Sequence, residues 1–188
     1  MQPSPRSVPT RPAVGDSASE SCDPQEVAHS DEFRRIGGES FELAIDLRHS
    51  PLYITRWRGR LEVPDAGAMH ELFLELAEAA ESREGRIAYV NDISGLQRST
   101  AEVRRRLTEV AAELHRSAHG RVSVGSWNII ANVVFRGVLK MVRWVTSNEG
   151  EDHFVADVPA GIVGARAALE LVGEPVEIDA ASYAFPRL

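Results

Sequence analysis

The chain has one cysteine, Cys22, and one lysine, Lys140, among its 188 residues. A lone thiol excludes an intrachain disulfide and any multi-cysteine zinc site. It fits a reducing compartment, where disulfides are rare. The shortage of lysine, with arginine as the main cation, reads as compositional bias and not as chemistry. No apolar run approaches the ~18 residues that mark a membrane span. Residues 1–30 are broken by Pro3, Pro5, Pro9, Pro12 and Pro24 and lack the apolar centre of a signal peptide. A cytoplasmic protein without a membrane span is therefore the expectation. Positive charge is scarce too: 21 basic against 28 acidic side chains leave a formal charge of −7. Such a balance argues against general attraction to phosphate backbones or anionic lipid, so no nucleic-acid partner is expected.

What remains is ordinary for a globular chain, with 43% hydrophobic and 26% charged residues. The length predicts one domain. Residues 1–30 hold no aromatic side chain and are rich in Pro and Ser. Such a stretch cannot offset its ordering entropy by burial, so it reads as a polar leader. The domain is expected over 31–172 and a tail over 173–188. Tyr183, Phe185 and Leu188 leave open whether that tail docks or hangs free.

Within the domain the apolar period alternates between two and 3.6. Phe41, Leu43, Ile45 and Leu47 read as one face of a strand, and Leu52 to Val63 as its antiparallel neighbour. Pro64–Asp65 suits a helix start, and Met69, Leu72, Phe73, Leu76, Ala77 and Ala80 continue it. A strand at Ile87–Val90 precedes a helix from Ser99–Thr100 to about His115, with Ser99 and Glu102 at capping-box spacing. Val122 and Val124 mark a further strand, and Ser126 the cap of a long helix to about Thr146. Phe154, Val155 and Val158 predict the last strand, and Ile162 to Leu171 the last helix. The order is β-β-α-β-α-β-α-β-α, an α/β domain with a mostly parallel sheet covered by helices.

Three segments carry a resemblance. Gly59-Arg60-Leu61-Glu62 before a helix is similar to a G-x-L-[DE] signature, and Asp92-Ile93-Ser94-Gly95-Leu96 to a D-[LI]-S-x-[VL] segment. Phe154-Val155-Ala156-Asp157-Val158, followed by the small residues from Gly161 to Leu169, resembles a closing strand and helix. In this order they resemble the STAS family of sulfate-transporter and anti-sigma-antagonist domains and its SpoIIAA-like relatives, over about residues 38–172. The resemblance implies a single non-catalytic domain that acts through protein contacts, in some members switched by a kinase at a serine in D-S-S-G. This chain departs from that pattern. Ile93 replaces the serine in one register, and the other leaves Ser99 and Thr100 at the helix start.

Ser99 and Thr100 are accordingly the candidate phosphoacceptors. A helix start offers free amides to a phosphate, and Arg98, Arg104, Arg105 and Arg106 are near in sequence. Ordinary capping with a solvated arginine run is the alternative. Asp92, Ser94 and Arg98 are a candidate loop or anion site at the end of a parallel strand, where α/β domains bind ligands. A turn-forming Asp explains the same residue.

The expected long helix is apolar over roughly 240° at 100° per residue, more than one sheet-facing stripe needs. Val134, Phe135, Val138, Met141, Val142 and Trp144 are therefore candidates for an interface, including a homodimer, or for an apolar-ligand pocket; deeper packing also fits. Enzyme signatures are poor. His70-Glu71 lacks a second histidine for zinc, Gly125-Ser126-Trp127 is no nucleophile elbow, and Gly161 to Gly164 matches no phosphate loop. No metal or cofactor is expected. The first reading is a regulatory protein-interaction module with a kinase or switch protein as partner. The second is a carrier or sensor of a small apolar ligand, and a hydrolase comes third.

Overall fold

The computed structural model describes residues 32–97, 99–131 and 152–186. Three strands open the fold: β1 (Phe33–Gly37), β2 (Phe41–Asp46) and β3 (Leu52–Gly59). Helix α1 (Val63–Glu81) follows, then β4 (Ile87–Leu96), α2 (Ala101–Arg116) and the short α3 (Ala118–Val122). Strand β5 (Ser123–Ile129) comes next; beyond residues 132–151 lie β6 (Asp152–Val155) and α4 (Val158–Leu171). The six strands form one sheet in the order β1-β2-β3-β4-β5-β6. The pairs β1/β2 and β2/β3 are antiparallel, and the three pairs from β3 to β6 are parallel.

Local chemistry sets the boundaries. Gly59 ends β3 at φ +82°, where a Cβ would stand 2.2 Å from the Ser40 carbonyl oxygen, so only glycine fits. Leu61 then enters the core and Glu62 caps α1, its amide donating to Asp65 Oδ2 at 2.8 Å. Asp157 caps α4 by accepting from the Ala160 amide at 2.9 Å.

The alternation of strand side chains divides the interior into two layers. On one side Leu43, Ile45, Tyr53, Trp57 and Tyr89 pack under α1, α2 and α3. On the other, Leu52, Ile54, Val90, Trp127 and Ile129 pack under α4, against Ile162 and Leu169. The segment after α4 docks on this second side: Ala180 is buried, and Val176, Ile178, Tyr183 and Phe185 pack against the core. It is latched to a fully buried carboxylate. Asp46 accepts from Tyr183 Oη at 3.0 Å and from Arg48 Nε and Nη2 at 3.0 and 2.8 Å. A buried charge is tolerable when paired and bonded in this way.

The elements depart from the sequence reading in several places. Strand β1 was not expected, because Phe-Arg-Arg-Ile-Gly is a partly exposed edge strand whose charges hide the period of two. Ser126 caps no helix. It lies inside β5, whose residues are mostly buried, and a short doubly buried strand has no period that separates it from a helix start. The strand expected to reach Val63 ends at Gly59, and Val63 opens α1, Val122 ends α3 and Val158 opens α4, so none of these three valines belongs to a strand.

Candidate functional site

The parallel strands β3, β4 and β5 end on one edge of the sheet, and the connection from β4 to α2 runs along it. Asp92 lies opposite Arg56 of β3 and Ile129 of β5, on the side covered by α4. Its Oδ1 accepts from the Ser94 amide at 3.1 Å and from Ser94 Oγ at 2.5 Å. That is an Asx turn, in which the carboxylate folds its own loop. The strand continues through Leu96, and the Gln97 amide donates to the Gly59 carbonyl at 2.8 Å.

The start of α2 belongs to the other side of the sheet. Thr100, not Ser99, is the capping residue, with Oγ1 accepting from the Val103 amide at 3.3 Å. The expected Ser99–Glu102 box is therefore replaced by a single threonine cap one residue later. Thr100 is exposed and Ser99 half-buried. Arg104 Nη1 donates to the Ser99 carbonyl at 2.7 Å, which places a guanidinium beside that residue. The neighbouring arginines are engaged elsewhere. Arg105 pairs with Glu109 at 4.0 Å, and Arg106 with Glu109 and Glu113, both at 3.3 Å. So the sequence candidates separate into two groups: Asp92 with Ser94 on the α4 side, and Ser99, Thr100 and Arg104 at α2. Arg98 lies outside the described residues. So do Val134, Phe135, Val138, Met141, Val142 and Trp144.

A polar chain across the sheet was missed in the sequence. Trp57 Nε1 donates to Thr55 Oγ1 at 2.6 Å, and Thr55 to Asn91 Oδ1 at 2.8 Å. Asn91 Nδ2 donates to Asn128 Oδ1 at 3.0 Å, and Asn128 Nδ2 to Ser126 Oγ at 2.9 Å. Ser126 Oγ then donates to Asp152 Oδ1. Each donor points the same way, so the chain ties β3, β4, β5 and β6 together and ends on a carboxylate. The available signal was a polar residue inside an apolar strand: Asn91 after Tyr89–Val90, and Asn128 between Trp127 and Ile129. Buried polar groups of that kind need partners. Among the described residues Ser126 Oγ is bonded to Asp152 and Asn128 and to no imidazole.

Under α1 and α3 the aromatic rings of Phe73, Tyr89 and His119 meet. Tyr89 and His119 stack with centroids 5.2 Å apart, and Phe73 stands edge-on to Tyr89 at 5.3 Å. Tyr89 Oη is buried and has no hydrogen-bond partner among the described residues, and burial, then Tyr53, raises its pKa. His119 is brought down to about 4, by burial first and by His115 second. At neutral pH it is an uncharged ring that packs. Among the described residues no three His, Cys, Asp or Glu side chains group as metal ligands, and no helix is long and apolar enough to cross a membrane.

No protein-family model and no curated protein matches the chain. Among solved structures it is similar to an anti-sigma factor antagonist from Mycobacterium paratuberculosis, at 11% identity and a TM-score of 0.45, over 69% of this chain and 97% of that one. It is also similar to an uncharacterized DUF3478-family protein with a SpoIIAA-like fold from Shewanella loihica, at 16% identity and a TM-score of 0.48, over 69% of this chain and 98% of that one.

Proposed function

We propose that this chain is a cytoplasmic, non-catalytic regulatory module that docks other proteins around the start of α2, with Ser99 or Thr100 as phosphoacceptor and a kinase or switch protein as partner. The observation that supports this reading is the position of Arg104, 2.7 Å from the Ser99 carbonyl on the first turn of an exposed helix start. A phosphate on Ser99 brings a charge of about −1.5 to −2 and three acceptor oxygens to this place. Arg104 can then exchange a neutral carbonyl for a charge-assisted bond, and the first-turn amides add their positive end of the helix dipole. A phosphate on Thr100 would keep an acceptor at the cap while adding charge to an exposed surface. Either modification changes the face a partner meets without unfolding the helix.

Incubation of the purified protein with ATP and an extract of its own cells, followed by mass-spectrometric mapping, tests this. One phosphate at Ser99 or Thr100 is expected. Modification at neither residue overturns the phosphoacceptor assignment. Native mass spectrometry of the untreated protein addresses the rival carrier reading, which a co-purifying lipid-sized mass would favour.

A further inference from the structure

Residues 175–186 follow α4 and lie on its side of the sheet, outside any helix or strand. Their root is fixed. The Glu174 amide donates to the Leu169 carbonyl at 2.9 Å, and Glu174 Oε1 accepts from the Arg86 amide at 3.2 Å. Beyond that root, among the described residues, no backbone–backbone hydrogen bond joins 175–186 to the sheet. Side chains hold the segment instead. Burial alternates along it: Val176 and Ile178 are half-buried and Ala180 is buried, while Pro175, Glu177 and Asp179 are exposed. A period of two is how an extended peptide lies with one edge against a surface. One exposed polar tie accompanies it, from Arg166 Nη1 to the Ile178 carbonyl at 2.9 Å.

Two aromatic rings, two residues apart, anchor the far end on neighbouring strands. Tyr183 Oη donates to Asp46 Oδ2 of β2 at 3.0 Å, and His49 stands edge-on to its ring at 6.0 Å. Phe185 lies against the Arg56 guanidinium of β3, 4.3 Å from the ring centroid. The sheet does not depend on either anchor for its own bonding. With Tyr183 away, Asp46 Oδ1 still accepts from the Arg48 amide and Nε at 3.1 and 3.0 Å, and Oδ2 from Arg48 Nη2 at 2.8 Å. Undocking therefore leaves no unpaired buried carboxylate, which would be the costly outcome. A segment with few buried apolar side chains and no ladder bonds opens well below global unfolding. The contacts of 175–186 are thus those of a peptide ligand that happens to be tethered.

We propose that the α4 side of β2 and β3 is a docking site for an extended peptide carrying a tyrosine and a phenylalanine two residues apart. Residues 175–186 fill it in cis, as a self-ligand that a partner of this chemistry must displace. The site lies across the sheet from Ser99 and stands or falls independently of the phosphoacceptor reading. A tethered segment competes at an effective concentration on the order of millimolar, so a free peptide at micromolar concentration is excluded until the tether is weakened. The test uses a fluorescent synthetic peptide of residues 174–186, titrated with the full chain and followed by anisotropy. The full-chain variant with both Tyr183→Ser and Phe185→Ser should bind it saturably, at least tenfold tighter than the unaltered chain. Tyr183→Phe alone, which removes one hydroxyl and keeps the ring, should give a smaller gain. A peptide carrying the two serine changes should bind none of the three proteins. Circular dichroism and a urea midpoint establish that each variant is folded. Equal affinity of the double variant and the unaltered chain, no binding by the folded double variant, no gain in Tyr183→Phe, or equal binding of the serine peptide overturns the proposal. So does loss of the fold in the double variant, which would make the segment an integral part of the domain and not a ligand of it.

Discussion

His119 shows how a single side chain couples this fold to pH. The ring is half-buried by area yet walled in by Phe73 and Tyr89, and its pKa falls to about 4 against an ordinary 6.5. The unfolded chain therefore binds a proton below pH 6.5 that the folded chain resists. Its contribution is fully present above about 6.5 and is lost as pH falls towards 4, with a slope of at most about 1.4 kcal/mol per unit. Urea midpoints measured across that window should decline in the native protein and flatten in His119→Phe, which keeps an aromatic ring beside Tyr89. An equal decline in both would assign the acid sensitivity to other groups. Little of this was legible beforehand. Nothing in the spacing of His119 marked it, and only the fold brings it under α1 against Tyr89. Asp92 was more legible, since an Asx turn is local and needs no long-range contact.

Among the elements, α4 reaches the sheet through its glycines. A Cβ at Gly164 would stand 2.3 Å from Trp127 Nε1, and one at Gly161 2.8 Å from Val90 Cγ1. Trp127 cannot simply swing away, because it is buried and stacked on His153 at 4.8 Å. Gly164→Ala should accordingly destabilise the protein by about 1–3 kcal/mol, the usual range for overpacking a core, despite the better helix propensity of alanine. Chemical denaturation measures this, and a neutral or stabilising result would mean that α4 sits farther from the sheet. Here the sequence reading was close: the small residues from Gly161 to Leu169 were read as part of a closing helix, and the limits of α1 and α2 lie within a few residues of those expected. Helices with one apolar stripe announce themselves by period. Strands β1 and β5 did not, one because its edge position tolerates charge, the other because burial on both faces erases alternation.

At the scale of the whole molecule, a mixed sheet separates the start of α2 from the side covered by α4. The α1–α3 layer carries the start of α2, and the α4 layer carries Arg56 of β3 beneath the docked segment that ends in Tyr183 and Phe185. The α/β class and the mostly parallel sheet could be read from alternating periods. The division of Asp92 from Ser99 by the sheet could not, because it depends on strand parity and register across a crossover. The central claim is that phosphate at the start of α2 changes how a partner binds. Its most direct test is the Kd of the complex with a partner isolated from the native cell, measured calorimetrically at fixed salt for the unmodified and the phosphorylated protein. A change of about tenfold or more is expected, equivalent to about 1.4 kcal/mol, and it should shrink in Arg104→Ala. Equal affinities for the two forms would contradict the claim.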